Sequence, residues 1–472
     1  SHAFYNWKGV KTITFRGSVP PKPSSSSYSI FEYMPSLEKI YVPSGTYQAY
    51  SKAYGGSLAP GVKLIEEGSG EFLITDGVLV SYTGEAEEVM IPDTVTSIGM
   101  GAFQNNQTLK KVEIPGSVTE IGDRAFSGCT GLLEILLPES MVRIGGHAFR
   151  DCTGLTRAVL PEGIREIGAS AFQGCTVLGE ALLPESLEKL GNSAFQSCTG
   201  LKKVSFGAGL KEIGESAFRG CTSLGGTLEL PEGLEKLGGY AFFECRSLTG
   251  ELRIPAGVKR IESSTFYYCT GMESLVLPEG LTDIGYDAFY QCMGLGGGTL
   301  ELPESLERIG SSAFEGCRGI TGELEIPGKI KEIPYDAFRS MEKVESLIVG
   351  EGVDSIYTYD MSHAFYNWKG VKTITFRGSV PPKPSSSSYS IFKHMPSLEK
   401  IYVPSGTYQA YSKAYGGSLA PGVKLIEEGS GEFLITDGVL VSYTGEAEEV
   451  MIPDTVTSIG MGAFQNNQTL KK

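Results

Sequence analysis

Residues 109–132 read LKKVEIPGSVTEIGDRAFSGCTGL. Val112 and Ile114 alternate with polar residues in this stretch, and such alternation is typical of a half-buried β-strand. Pro115 predicts the end of that strand because proline has no N–H to donate to a strand ladder. The stretch therefore begins with one short strand that has an apolar side and a polar side.

The rest of the stretch predicts a second wall and a turn. Val118 and Ile121 begin a second extended piece, and Gly122 is expected to turn the chain. Phe126 and Cys129 have helical spacing, so a single helical or 3₁₀ turn is expected to place Phe126 in the core. One such coil is too small to bury its apolar side alone, and it requires a neighbour.

The same pattern recurs along the chain, and a cysteine marks most of its copies. The nine cysteines are Cys129, Cys152, Cys175, Cys198, Cys221, Cys245, Cys269, Cys292 and Cys317. Successive cysteines are 23 to 25 residues apart. A period of this length indicates one supersecondary unit that is copied and stacked. The sequence therefore predicts a β-rich solenoid.

The cysteine position is expected to be an inner seam of the solenoid. Where the pattern lacks cysteine it accepts Asn106, Met341, Met34 or Trp7, which a disulfide or a metal site would not. Free cysteine commonly behaves as a small buried hydrophobe. Metal or redox chemistry along the seam is the alternative.

Composition restricts the partners. The 472 residues are 41% hydrophobic and carry a formal net charge of −15, so the chain is globular and acidic. This charge argues against nucleic acid and against an anionic membrane surface. No apolar run is long enough to span a membrane. The chain opens inside a repeat, so we interpret it as a fragment or a mature window of a longer protein.

No pattern in the sequence indicates catalysis or a cofactor. We find no H-E-x-x-H, nucleophile elbow, phosphate-binding glycine loop or C-x-x-C pair. Glutamates recur once per coil, as in a solvated wall. We therefore predict no catalytic residue, no cofactor and no metal, and an enzyme only if a catalytic module lies outside this window.

The repeat L-x-x-V-x-I-P-x-x-V-x-x-I-G-x-x-A-F-x-x-C resembles the BspA-like leucine-rich repeats, the Treponema pallidum type. It differs from ordinary leucine-rich repeats in having proline where their asparagine ladder would begin. The resemblance implies a right-handed coil stack with one short strand and one helical or 3₁₀ turn per coil. Residues 72–82 resemble the opening β-hairpin of that family, with a turn at Asp76-Gly77.

A second segment resembles the closing helix of that family. Three tyrosines line one face of this short predicted helix: Tyr47, Tyr50 and Tyr54. Thr46 can cap its start and Gly55 can end it. The tyrosine-lined helix is therefore expected to be the C-terminal cap of a solenoid.

A longer repeat is superimposed on the coils. Residues 1–111 return as residues 362–472 with two changes, Glu32 to Lys393 and Tyr33 to His394. The caps divide the chain into three parts: residues 1–67 close one solenoid, 68–428 form a complete one, and 429–472 open a third. An array of tandem units is the simplest explanation, and an engineered duplication is the alternative.

Two surfaces are candidates for partner binding. The first is an exposed apolar stripe: Leu136, Val159 and Leu182 are expected to face outward from consecutive strands, with Leu133 beside them. Its alternative is that aliphatic residues simply suit a strand surface.

The second candidate is an aromatic insertion. It consists of Tyr357, Tyr359 and His363 together with the proline- and serine-rich loop at 380–388, and local packing of a widened coil is its alternative. His2, His147 and His363 are all expected to lie in solvent-exposed turns.

The resemblance implies a non-enzymatic adhesion or interaction protein outside a bacterial cell or on its surface. The expected partner is a host or cell-surface protein, or neighbouring copies of the same unit, without membrane insertion in this window. The alternative is a structural stalk or a self-assembling fibre, which near-identical units would suit. Multivalent adhesion would also benefit from copies.

Overall fold

The structure is a computed structural model of the chain. It describes residues 71–359, 362–386 and 388–428, and shorter stretches at either end. These are residues 8–21, 31, 34–43, 46–54, 58 and 62–66 before them, and 433–436, 438–443, 450, 452, 456–465, 467 and 470 after them. By its internal contacts the chain forms two compact units, Ser1–Gly207 and Ala208–Lys472.

The first unit consists of short strands and one helix. They are β1 (Thr12–Thr14), β2 (Lys39–Val42), α1 (Tyr47–Tyr54), β3 (Lys63–Glu66), β4 (Phe72–Thr75), β5 (Val78–Tyr82), β6 (Glu88–Met90), β7 (Ser97–Ile98), β8 (Lys111–Glu113), β9 (Glu120–Ile121), β10 (Glu134–Leu136), β11 (Arg143–Ile144), β12 (Arg157–Val159), β13 (Glu166–Ile167), β14 (Glu180–Leu182), β15 (Lys189–Leu190) and β16 (Lys203–Ser205).

The second unit continues the same alternation. Its elements are β17 (Glu212–Ile213), β18 (Lys236–Leu237), β19 (Gly250–Arg253), β20 (Arg260–Ile261), β21 (Met272–Val276), β22 (Asp283–Ile284), β23 (Arg308–Ile309), β24 (Thr321–Ile326), β25 (Glu332–Ile333), β26 (Lys343–Val349), β27 (Ser355–Ile356), β28 (Thr373–Phe376), β29 (Lys383–Pro384), β30 (Lys400–Val403), α2 (Tyr408–Tyr415), a 3₁₀ helix (Gly416–Ser418), β31 (Lys424–Glu427), β32 (Phe433–Thr436), β33 (Val439–Tyr443) and β34 (Ser458–Ile459).

Each coil contributes two strands, and equivalent strands of successive coils pair in parallel. In the first unit β6, β8, β10 and β12 form one such sheet, which we call the first wall. The strands β7, β9, β11, β13 and β15 form the second wall. Within the first wall Ile135 lies opposite Val112 on one side and Ala158 on the other, so equivalent positions are stacked in register. The predicted solenoid of leucine-rich repeats is confirmed.

The core of each coil centres on the phenylalanine that follows alanine. Phe126 is fully buried, and its ring stacks on Phe103 at 4.8 Å and on Phe149 at 5.2 Å between ring centroids. In the second unit Phe242 and Phe266 stack in the same way at 5.6 Å. Since each ring contacts the ring of the next coil, the column couples neighbouring coils.

The segment that carries Phe126 differs from the helical or 3₁₀ turn that the sequence predicts. It is a hydrogen-bonded turn in which Arg124 and Gly128 have positive φ angles of 56° and 74°. This alternation directs N–H groups along the stack: that of Phe126 donates to the Ala148 carbonyl of the next coil at 2.7 Å. A helix would use these donors within the coil, whereas here the neighbouring coil accepts them.

Gly122 does not turn the chain as predicted. It allows the backbones of two neighbouring coils to approach each other closely. Its N–H donates to the carbonyl of Ile98 at 2.7 Å, and a Cβ at this position would lie 2.9 Å from the carbonyl carbon of Gly99. Glycine is needed here because only a residue without a side chain leaves room for the preceding coil's backbone.

The hairpin cap is confirmed. Strands β4 and β5 pair antiparallel around the Asp76-Gly77 turn, and β5 then pairs in parallel with β7 of the first coil. The second copy repeats this arrangement with β32, β33 and β34. The hairpin thus offers the first coil a strand on which to stack.

The tyrosine-lined helix is confirmed, with one correction at its start. Tyr411 and Tyr415 are buried, and their hydroxyls donate to the carbonyls of Gly378 and Pro382 at 2.7 and 2.6 Å. The first copy matches, since Tyr50 donates to Gly17 at 2.6 Å. These bonds tie α2 to the loop that follows β28, and α1 to the loop that follows β1.

The predicted threonine cap is wrong. The Thr407 hydroxyl donates to the Pro404 carbonyl at 2.7 Å, and Thr46 does the same to Pro43, because each lies in a tight turn before its helix. Instead, a carboxylate oxygen of Glu427 accepts the N–H of Tyr408 at 3.3 Å. Gly416 continues into the 3₁₀ helix, and its counterpart Gly55 lies outside the described residues.

Candidate binding surfaces

The predicted apolar stripe is brought together in the first unit. Leu136 and Val159 are register partners on β10 and β12, and Leu182 has the same position on β14. Leu133, Leu136 and Leu182 are 51%, 50% and 56% exposed, and Val159 is half-buried. We call these four residues the apolar row. Because register repeats every coil, strand spacing places equivalent side chains about 4.8 Å apart.

A row of alternating charges runs beside the apolar row on the same strands. Its members in register are Glu88, Lys111, Glu134 and Arg157, and then Glu180 with Lys203. Arg157 and Glu134 form an ion pair at 2.8 Å. Opposite charges directly across a pair of strands attract, so the row largely neutralises itself. A partner therefore meets exposed aliphatic side chains beside an electrically balanced edge.

The second candidate surface lies in the second unit and is larger than the sequence indicates. Tyr359 is 58% exposed, and its ring contacts Tyr357 at 6.3 Å and Tyr389 at 5.9 Å between centroids. Tyr335 is 44% exposed and lies 5.6 Å from Tyr357. Sequence reasoning missed Tyr335 and Tyr389. The signal for Tyr335 was its position 22 residues before Tyr357, close to one coil period.

His363 does not belong to either surface, and the expectation that it lies in an exposed turn is wrong. Its side chain is fully buried, and its Nδ1 accepts the N–H of Phe365 at 3.1 Å. Its Nε2 therefore carries the proton and donates to the Ser390 carbonyl at 3.1 Å. The widened coil forms an antiparallel bridge between Thr358 and His363, which turns the imidazole inward.

An exposed turn is also predicted for His147 and His2. His147 is half-buried, and its Nδ1 is buried without a hydrogen-bond partner among the described residues, so an exposed turn is wrong for this position too. Its φ angle of 56° is the same as that of Arg124 and Ser170 at the equivalent positions of the neighbouring coils. His2 lies outside the described residues.

Acidification is expected to destabilise the fold through His363. Burial lowers its pKa from 6.5 to about 4, and the neighbouring His394 and Lys393 act in the same direction. Between these values the unfolded chain binds the proton and the folded chain does not. Stability from this residue is therefore complete above pH 6.5 and falls by about 3 kcal/mol as the pH drops to 4.

This expectation is checked by guanidinium unfolding at pH 7 and pH 5. The His363→Gln variant is the comparison, because it lacks the titrating ring and retains a polar side chain. Its stability should depend less on pH than that of the wild type. If the free energy of unfolding changed equally between pH 7 and pH 5 in both proteins, a neutral buried imidazole would be contradicted.

The cysteine seam is confirmed as part of the core, and it has a feature that sequence reasoning missed. All nine cysteines are free and fully buried. Cys152 Sγ donates to the Phe126 carbonyl of the preceding coil at 3.1 Å, and Cys175 does so to Phe149 at 3.2 Å. Trp368 occupies the same position and its Nε1 donates to the Phe338 carbonyl at 2.6 Å. The position therefore favours a donor as well as a small apolar residue.

The seam has little thiol reactivity to offer. Burial raises the pKa of Cys129 and Cys198 to about 12, so neither forms a thiolate at neutral pH. Among the residues that the structure describes, no three His, Cys, Asp or Glu side chains are arranged to hold a metal ion. Thiol chemistry is consequently suppressed while the coils are stacked.

The number of thiols that can be labelled is expected to differ completely between the folded and the unfolded chain. With a disulfide reagent such as Ellman's, none of the nine thiols should react in the native chain at neutral pH. In guanidinium without reductant all nine should react, since none is oxidised. A thiol that reacts rapidly in the native chain, or fewer than nine in the denatured one, would contradict the seam.

A second set of aromatic residues lies on the turn side of the second unit. Phe243, Tyr267 and Tyr290 follow the core phenylalanine in three successive coils and stack at 4.6 and 4.7 Å. Arg219 lies over Phe243 at 4.8 Å. The rings are half-buried and cover each other's faces. The stacking therefore stabilises the turns and covers both faces of Tyr267.

The model of the BspA-type leucine-rich repeat region matches this chain in six copies. The matched residues are 80–202, 188–300, 297–420 and 439–472. No protein with a curated description matches it. Among the described residues no helix is long and apolar enough to cross a membrane.

Several solved structures are similar to the chain. A leucine-rich repeat protein of T. pallidum is 32% identical, with 38% of this chain and 87% of that one covered and a TM-score of 0.36. A leucine-rich cell surface protein of Faecalibacterium prausnitzii is 25% identical, covering 69% and 95%, with a TM-score of 0.43. A leucine-rich repeat protein of Bacteroides ovatus is 23% identical, covering 75% and 97%, with a TM-score of 0.49.

Proposed function

The chain belongs to the BspA-type leucine-rich repeat family, and from this premise we propose that it is a non-enzymatic protein-binding adhesin of the bacterial cell surface. The observation that carries the proposal is the apolar row. Leu136 on β10 and Leu182 on β14 are about half exposed, with the half-buried Val159 between them on β12. A contiguous exposed apolar patch often marks a protein interaction site. The partner is a host or cell-surface protein with an apolar contact face.

Several observations support binding over chemistry. Burial raises the pKa of the Cys129 and Cys198 thiols and lowers the pKa of the His363 imidazole, so the thiols stay protonated and the imidazole stays neutral at pH 7. Beside the apolar row Arg157 pairs with Glu134 at 2.8 Å. A ligand would therefore bind the apolar row through shape complementarity and burial of apolar area.

A structural stalk is the second candidate, and the duplication favours it. Residues 1–111 and 362–472 differ at only two positions. In both copies a sheet ends at the strand after the tyrosine-lined helix, and a new sheet begins at the hairpin. These breaks support the division into residues 1–67, 68–428 and 429–472. Near-identical units are compatible with a spacer, which needs no variation between units. They would also increase the avidity of an adhesin, because each unit can bind the same partner.

Solid-phase binding of the whole chain tests the two candidates. The probes are purified extracellular matrix proteins, with serum albumin as the negative surface, and electron microscopy of the same sample records assembly. Saturable binding to a matrix protein by unassembled chains is the expected result. Regular filaments without any matrix-protein binding would favour the stalk and overturn the adhesin.

A further inference from the structure

Four tyrosines in the second unit form an aromatic row that the proposed function does not use. They are Tyr335, Tyr357, Tyr359 and Tyr389, and we call them the tyrosine surface. Tyr359 and Tyr335 are 58% and 44% exposed, and the other two are half-buried. Neighbouring rings lie 5.6 to 6.3 Å apart between centroids. Lys393 Nζ lies 4.6 Å from the centroid of Tyr389, so that ring is the less accessible end of the row.

Backbone hydrogen bonds on both sides hold the tyrosine surface in place. The Tyr357 N–H donates to the Ile333 carbonyl of the preceding coil at 2.9 Å. The Thr358 N–H donates to Ser385 Oγ at 3.0 Å, which ties the same segment to the loop before Tyr389. The rings are therefore positioned by the fold, and a ligand does not have to order the backbone that carries them.

The rings of the tyrosine surface are inclined to one another. The planes of Tyr335 and Tyr357 make an angle of 62°, and those of Tyr359 and Tyr389 an angle of 47°. Coplanar rings would form a flat platform, which suits the face of a sugar. Inclined rings form ridges with recesses between them, and such aromatic relief suits the rings of a proline-rich chain.

The hydroxyl groups of the tyrosine surface are available as donors. None of the four donates a hydrogen bond to a residue that the structure describes. A polyproline II helix has no internal hydrogen bonds, and its prolines present carbonyls without any N–H. Such a ligand takes hydrogen bonds only from donors, which is what tyrosine hydroxyls supply.

The chain already contains this pairing between tyrosine and proline. The Tyr415 hydroxyl donates to the carbonyl of Pro382 at 2.6 Å, within a segment that reads Pro381-Pro382-Lys383-Pro384. In the first copy the hydroxyl of Tyr54 donates to the carbonyl of Pro21. The fold therefore uses internally the contact that a proline-rich ligand would make with the tyrosine surface.

We propose that the tyrosine surface binds a proline-rich segment of a partner protein in the polyproline II conformation. Proline rings of the segment lie in the recesses beside Tyr357 and Tyr359. Carbonyls of the segment accept hydrogen bonds from the hydroxyls of Tyr335 and Tyr359. Because a polyproline II helix is largely preformed, its binding loses little conformational entropy. The tyrosine surface does not include the apolar row, so this site goes beyond the proposed function.

Fluorescence anisotropy with the whole chain tests the proposal. The probe is a labelled, end-blocked nonaproline peptide. It should bind saturably, and the Tyr335→Ala, Tyr359→Ala double variant should bind it at least about tenfold more weakly. The matched control is Tyr286→Ala, because Tyr286 is 60% exposed in the same unit and lies outside the tyrosine surface. This control should bind as the wild type does, and both variants should unfold at the wild-type guanidinium concentration.

A second variant and two further ligands separate the contributions. The Tyr335→Phe, Tyr359→Phe variant keeps the rings and loses the hydroxyls, and it should bind nonaproline about fivefold more weakly or worse. An end-blocked glycine–serine peptide of the same length lacks the preformed helix and should not bind. Maltoheptaose should not displace nonaproline.

Five results would each overturn the proposal. They are no saturable binding of nonaproline, equal weakening by the Tyr286 control, undiminished binding by either double variant, equal binding of the glycine–serine peptide, and displacement by maltoheptaose, which would assign the surface to a glycan. Matrix-protein binding should survive in both double variants, because neither changes the apolar row. Failure of this proposal is therefore distinguishable from failure of the proposed function.

Discussion

Replacing Leu136 and Leu182 by lysine is expected to abolish the binding to a matrix protein that we propose for the wild type. Both side chains are about half exposed, at 50% and 56%, so lysine can extend into water without disturbing the core. In the complex, the same two lysines would have to lose their hydration against an apolar partner. Since interface energy concentrates in a few central contacts, losing two of them should weaken binding about a hundredfold or more.

The matched control is the Val142→Lys, Val177→Lys double variant. These valines are 50% and 47% exposed in the same unit but lie outside the apolar row. The control should retain wild-type affinity, and both variants should unfold at the wild-type guanidinium concentration. Unchanged binding by the Leu136, Leu182 variant would show that the apolar row is only a strand surface. Equal loss in the control would show a nonspecific charge effect.

Phe172→Ala is expected to cause the largest loss of stability from a single substitution. The ring is fully buried and stacks on Phe149 at 5.1 Å and on Phe195 at 5.2 Å. Truncating a buried phenylalanine typically costs about 3–5 kcal/mol, because the contacts are lost and a cavity remains. In a solenoid the loss also weakens both neighbouring coils, since each contacts only its neighbours.

Guanidinium unfolding followed by circular dichroism measures this effect. Val177→Ala in the same coil is the control, because its side chain is 47% exposed and its removal should change stability by less than about 0.5 kcal/mol. A loss for Phe172→Ala no larger than that of the control would contradict the phenylalanine column as the link between coils.

The strands, the seam and both caps could be predicted because their signals are local and repeated. Alternation of Val112 and Ile114 with polar residues fixes which side of the strand is buried, and Pro115 fixes where it ends. The same alternation predicts that Leu136 and Leu182 face outward. Repetition multiplies each weak signal by the number of coils, so a short motif defines the whole solenoid.

Other features could not be predicted because they depend on the neighbouring coil. The turn at Phe126 looks helical in sequence, but its N–H groups bond to Ala148 and its equivalents in the next coil. His363 looks like a turn residue, yet its ring is buried and its Nε2–H donates a hydrogen bond to the carbonyl of Ser390 in the next coil.

Hydrogen–deuterium exchange of the whole chain, with and without its matrix-protein partner, tests the central claim most directly. We predict that binding slows amide exchange in β10, β12 and β14, the strands that carry Leu136, Val159 and Leu182. Exchange in the second-wall strands of the same coils, β11, β13 and β15, should be unchanged. Protection confined to other regions, with β10, β12 and β14 exchanging as in the free chain, would contradict the apolar row as the binding surface.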